Sequence, residues 1–91
     1  MANARRENVI RIDTDNATYD GPLKICAVKW KAKGTSPAVA IRADKSASGM
    51  ILWESNVAAD VEVYEEIEIR AGAGIHVDIA GTGSVLYIYL E

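Results

Sequence analysis

Phenylalanine is absent from this 91-residue chain, cysteine and histidine occur once each, and proline occurs twice. Each absence removes a class of explanation. The lone cysteine, Cys26, permits no internal disulfide, so nothing covalent staples the fold. Without phenylalanine, aromatic packing must come from Trp30, Trp53 and the four tyrosines. No run approaches the roughly eighteen apolar residues of a membrane-spanning helix, and the N-terminus has no apolar signal-peptide core. The expected site of synthesis is therefore the cytoplasm, with no secretion signal and no membrane partner. No stretch repeats apolar residues at three- and four-residue intervals, so no significant helix is predicted.

What is present is an ordinary globular composition, 49% hydrophobic, in a chain of one-domain length. Such a chain buries only about 60–65% of its unfolded surface, which leaves little stability margin and makes self-association a natural supplement. The net charge of −3 is unevenly spread: residues 1–53 carry +4 and residues 54–91 carry −7. The two halves can neutralise each other within one sheet, or a basic patch on one copy can meet an acidic patch on another.

The last third is the clearest stretch. Val61, Val63, Ile67 and Ile69 alternate with Glu62, Tyr64, Glu66, Glu68 and Arg70, the period-two pattern of a strand with one apolar and one wet face. The glycine turns 71–74 and 81–83 then separate strands at Ile75–Ile79 and Ser84–Glu91, and the three read as a closing meander. The last strand is apolar on both sides, Leu86, Ile88 and Leu90 against Val85, Tyr87 and Tyr89. It is thus expected to be central, or to meet a partner with its second face. Glu65 alone falls on the apolar phase of its strand, where an inward charge at a sheet edge would discourage uncontrolled pairing; pairing with a lysine of a neighbouring subunit is the alternative. Earlier strands are predicted at Asn8–Thr14, Leu23–Lys33, Ala38–Asp44 and Met50–Glu54, with 13–22 and 55–60 as loops. Residues 1–7 read as a flexible basic arm and 8–91 as a single domain. About seven short strands without a helix predict an all-β, antiparallel β-sandwich or small jelly-roll-like barrel.

Candidate chemistry is sparse. Asp13-x-Asp15-Asn16 begins like a calcium loop, but Ala17, Thr18 and Lys24 stand where that loop needs an oxygen ligand, glycine and glutamate. His76 and Asp78 share one strand face and could orient a general base, yet no nucleophile or metal motif accompanies them. Cys26 falls in phase with Val28 and Trp30 and is expected as a small buried hydrophobe. The glycines compose no phosphate loop, and Asn16-Ala17-Thr18 is a glycosylation triplet without a secretory context. No catalytic residue, metal, cofactor or small-molecule substrate is expected.

Lys29-Trp30-Lys31-Ala32-Lys33 mixes cations with an aromatic, but strand geometry points Trp30 away from its flanking lysines. A nucleic-acid platform needs both on one surface, so the lysines read as a basic face for an acidic protein partner. Lys29-Trp30-Lys31, Leu52-Trp53-Glu54 and the terminal Gly83-Ser84-Val85-Leu86-Tyr87-Ile88-Tyr89-Leu90, after a short basic N-terminus, give the chain a style that resembles the small all-β accessory and decoration (cement) proteins of tailed bacteriophages. The resemblance covers most of the chain but carries no shared motif, so no functional residue transfers. It implies a non-enzymatic virion protein that self-associates and attaches to a capsid or other virion protein. On that expectation the partner-binding residues are Lys29, Lys31, Lys33, Tyr87 and Tyr89. The alternative is a monomeric carbohydrate- or receptor-binding module with an exposed aromatic as its anchor.

Overall fold

A computed structural model describes residues 4–6 and 8–91. The described residues form nine strands: β1 (Ala4–Arg6), β2 (Val9–Ile12), β3 (Ala17–Tyr19), β4 (Leu23–Lys31), β5 (Ala38–Ala43), β6 (Ile51–Ser55), β7 (Glu62–Ala71), β8 (Ile75–Ala80) and β9 (Val85–Leu90). They make two antiparallel sheets, one in the order β1-β2-β9-β4-β7 and one in the order β3-β8-β5-β6. No helix occurs among the described residues. The all-β expectation holds, and β2 to β9 follow the two-sheet order of a jelly roll rather than a closed barrel.

Two strands escape the sequence pattern. β3 lies in the stretch read as a turn-rich loop; it has only three residues and one buried side chain, Ala17, too little for a visible alternation. Ala4–Arg6 of the expected arm pair with Val9–Arg11 as an edge strand, while residues 1–3 and 7 of that arm lie outside the described residues. The meander is also corrected. β7 pairs with β4, β8 with β3 and β5, and β9 with β2 and β4. The two glycine turns therefore carry the chain from sheet to sheet instead of closing hairpins. Gly81, at φ 101°, shows why its turn needs glycine: a Cβ there would collide with the Lys33 carbonyl.

The core lies between the sheets and uses alternate residues of both. Ile10 and Ile12 of β2, and Leu86 and Ile88 of β9, face Ile41, Ile75 and Val77, all fully buried. Trp30 is 0% exposed and fills the place a phenylalanine would otherwise take. Its indole Nε1 is buried with no hydrogen-bond partner among the described residues, a cost of about 1–3 kcal/mol for a core that relies on an amphipathic ring.

β4 changes phase along its length. Leu23 and Ile25 point inward, then the register with β9 steps from Ile25↔Leu90 to Ala27↔Tyr89, two residues on β4 against one on β9. Beyond this bulge Val28, Trp30 and Ala32 point inward. Cys26 is the extra residue and is half-buried, not part of the Val28–Trp30 face as its spacing implied. β7 keeps strict alternation, and it is an edge strand. Glu65 pairs in register with Val28 and so takes the inner phase, where it accepts a hydrogen bond from the Trp53 indole Nε1 on β6, the edge of the other sheet.

Candidate functional site

The outward residues of the five-stranded sheet form a regular array because register fixes which side chains are neighbours. One row runs Arg11, Tyr87, Lys29, Tyr64 across β2, β9, β4 and β7. The next runs Val9, Tyr89, Ala27, Glu66, and on the other side Val85, Lys31 and Glu62 stand abreast. Four of the five sequence-predicted partner residues, Lys29, Lys31, Tyr87 and Tyr89, thus share one face. Being central, β9 covers its inner face with core, whereas its outer tyrosines are only half-buried.

The rings and cations of this face interact. Tyr64 and Tyr89 meet edge to face, with centroids 6.3 Å apart and planes at 62°. Lys31 Nζ lies 5.8 Å from the centre of the Tyr87 ring, within cation–π range. Arg11 donates to the Tyr87 side chain and to Asp13, at 3.0 Å for the latter, and these bonds push its already high pKa further up. Glu62 stands 3.6 Å from Lys29 Nζ and 3.9 Å from Lys31 Nζ, so a carboxylate rim on β7 borders the lysine column of β4. Tyr64 is 62% exposed, one of few large apolar side chains so open.

Lys33 stands apart from this group. It follows the end of β4, and its ammonium pairs with Asp60 at 2.6 Å, which raises its pKa. Its backbone is gripped by Ser84, whose Oγ accepts from Lys33 N at 2.8 Å and donates to Lys33 O at 2.9 Å. Arg11 and Tyr64 belong to the face but carried no signal that placed them there. Both sit on the polar phase of their strands, and only the strand order brings them beside Tyr87 and Tyr89. Trp30 does point away from the lysines, as strand geometry requires. The aromatic and cationic side chains nevertheless share one surface, through tyrosines contributed by β9 and β7.

The four-stranded sheet presents different chemistry on its outer face. His76 Nε2 and Asp78 Oδ1 are 2.9 Å apart, so the pair shares a face as its spacing predicts. Arg42 Nε donates to Asp78 Oδ2 at 2.9 Å and Arg42 Nη1 to the Gly49 carbonyl at 3.0 Å. Burial pushes the Asp78 pKa up, but the hydrogen bonds from Arg42 and His76 outweigh it and hold the carboxyl below its ordinary value. Beside them an open trough of about 640 Å³ is floored by Ala38, Ala40 and Ala80 and bordered by Asp15, Glu54 and Asp78. Two of these carboxylates are occupied, Asp78 as described and Asp15 by the amide of Ile79 at 2.8 Å. His76 is itself 5% exposed, so the imidazole is braced in place and Asp78 is the member of the pair that reaches the trough. Among the described residues no three His, Cys, Asp or Glu side chains are placed to hold a metal. Asp13 and Asp15 are used by Arg11 and Ile79, and Asn16 turns the chain at φ 57°.

The opposite charges of the chain's two halves are partly spent internally, since Lys29 and Lys31 with Glu62, Lys33 with Asp60, and Arg42 with Asp78 all join one half to the other. Comparisons of the chain with family models, curated proteins and solved structures return no match.

Proposed function

We propose that this chain is a non-enzymatic structural protein that docks onto protein partners through the outer face of its five-stranded sheet. The observation that carries the reading is the array of Tyr64, Tyr87 and Tyr89 interleaved with Arg11, Lys29 and Lys31 and bordered by Glu62 and Glu66. Tyrosine and arginine are among the residue types enriched in the energetic centres of protein interfaces; tyrosine brings large contact area and a polar tip at low entropic cost, and arginine a planar fork of five donors. The glutamate rim opposes a polyanion, which favours a protein over single-stranded nucleic acid as the occupant. Within that class, a capsid decoration or head–tail accessory protein of a bacteriophage virion agrees with the small size and the jelly-roll order, an architecture that also serves capsids. The same architecture serves lectins, and the exposed Tyr64 ring favours a carbohydrate- or receptor-binding module as the second reading.

The test is a photoreactive phenylalanine analogue at position 87, in the chain produced together with the products of its neighbouring genes. A cross-link to a particle-forming protein, or to a second copy, is the expected result. No protein adduct at position 87, combined with glycan-array binding that Tyr64→Ala abolishes, would replace this reading with the second.

A further inference from the structure

The order of chemistry across the docking face is that of a surface made to meet itself. We infer that two copies associate face to face about a twofold axis that runs parallel to the strands, between β9 and β4. The inference rests on the protein-docking reading and names its occupant as a second copy of this chain. Across the face the outward columns run in fixed order: Arg11 on β2, tyrosines 87 and 89 on β9, lysines 29 and 31 on β4, and the glutamate column of β7. A twofold axis along the strands turns this order around on the opposing copy. The β2 column then lies over the partner's β7, and the β9 column over the partner's β4. Arg11 then lies over the second copy's Tyr64, flanked on the same strand by Glu62 and Glu66 within reach of its long side chain, and Tyr87 lies over Lys29, a ring against an ammonium group as Lys31 already meets Tyr87 within one chain. The alternative twofold, across the strands, lays every column on its own copy, cation on cation and carboxylate on carboxylate. Like charges so opposed cost interface stability, and the column order therefore selects the first arrangement.

Symmetry and size agree. Closed twofold dimers with self-complementary patches are the commonest homo-oligomers. The axis overlaps four strands, β2, β9, β4 and β7, which at about 4.8 Å spacing and with a nine-residue β4 give a face about 19 Å wide and 30 Å long at most. That is well under the ~800 Å² per partner of a standard interface, so the dimer is reversible rather than obligate. The half-buried tyrosines at the centre of the patch and the more exposed Tyr64 are the rings that gain cover.

Sedimentation of the purified chain across a micromolar-to-millimolar range tests the register, with circular dichroism confirming that each variant is folded. The wild type is expected to show a concentration-dependent monomer–dimer equilibrium that weakens with salt. Arg11→Glu and Glu66→Arg are each expected to weaken it about tenfold, and the double variant to recover most of the loss. Lys29→Glu, in a different column and with only the 3.6 Å intrachain contact to Glu62 to lose, gives a second check and is expected to weaken the dimer as well. A wild type that stays monomeric throughout overturns the inference, as does a double variant weaker than either single one. If that monomer still gives a protein adduct at position 87 in the co-production experiment, the docking reading survives without self-association. Tight binding of an oligothymidylate probe by the monomer overturns both.

Discussion

Ser84→Ala removes a single oxygen, and the structure allows its cost to be worked out. Ser84 is 1% exposed, and its Oγ makes two bonds to one residue 51 positions earlier, accepting from Lys33 N and donating to Lys33 O. This exchange does what a ladder pair would do, just beyond the last β-pairing, that of Lys31 with Val85. Each bond contributes about 1 kcal/mol net, and a buried group left unpaired costs about 1–3 kcal/mol. Lys33 lies at a strand end with a half-exposed side chain, so water can reclaim part of the loss. The expected destabilisation is about 2 kcal/mol. For a chain of this size that lowers Tm by about 8–16 °C and moves the urea midpoint down by about 1–2 M at unchanged m. The assay is urea unfolding followed by tryptophan fluorescence, run below the concentrations at which the chain associates. A loss under about 0.5 kcal/mol would refute the reasoning, because water would then be replacing the hydroxyl at no penalty.

Other perturbations probe other parts of the fold. Glu65→Ala and Trp53→Phe each break the bond that ties the two edge strands together, and each is expected to cost about 1 kcal/mol; a double variant that loses the full sum of both would show that the groups do not interact. Asp78 has a folded pKa below its unfolded one, so its contribution is present above the ordinary carboxylate pKa and vanishes as pH falls through the folded value. Asp78→Asn should therefore lower stability at neutral pH and flatten the acid limb of a stability-versus-pH curve; an unchanged limb would refute this. Cys26 is half-buried at a bulge, so native protein should be alkylated by a small maleimide without unfolding, and protection equal to that of a core thiol would contradict its placement.

The strands from β4 to β8 were legible because their side chains alternate over most of five or more residues, long enough for a period of two to stand out, and β9 because a short apolar run follows a glycine turn. β3 was not, because three residues within a turn-forming stretch show no period. The face of Cys26 was misjudged for a different reason: one inserted residue reverses the phase, and nothing in the local composition marks it. Glu65 shows the opposite case, since an uninterrupted alternation on both sides correctly placed a charge on the apolar phase. Of the candidate site, the lysines and tyrosines could be read as outward-facing from their own strands. Their assembly into one surface with Arg11 and Tyr64 could not. It depends on β9 entering between β2 and β4, a long-range pairing that no local pattern encodes.

The irregularity at Cys26 has a further meaning for how this sheet can vary. If β4 ran without it, the phase of Leu23 and Ile25 would carry on to Lys29 and Lys31, sending two ammonium groups into the interior and the Trp30 indole out to solvent. Straightening the strand at unchanged length would thus turn its far half inside out, whereas deleting Cys26 would leave Leu23, Ile25, Val28 and Trp30 in plain alternation with no bulge. The greasy centre of the domain and the chemistry of its outer wall are thus inherited together, through the length of one short segment, and neither can drift without the other.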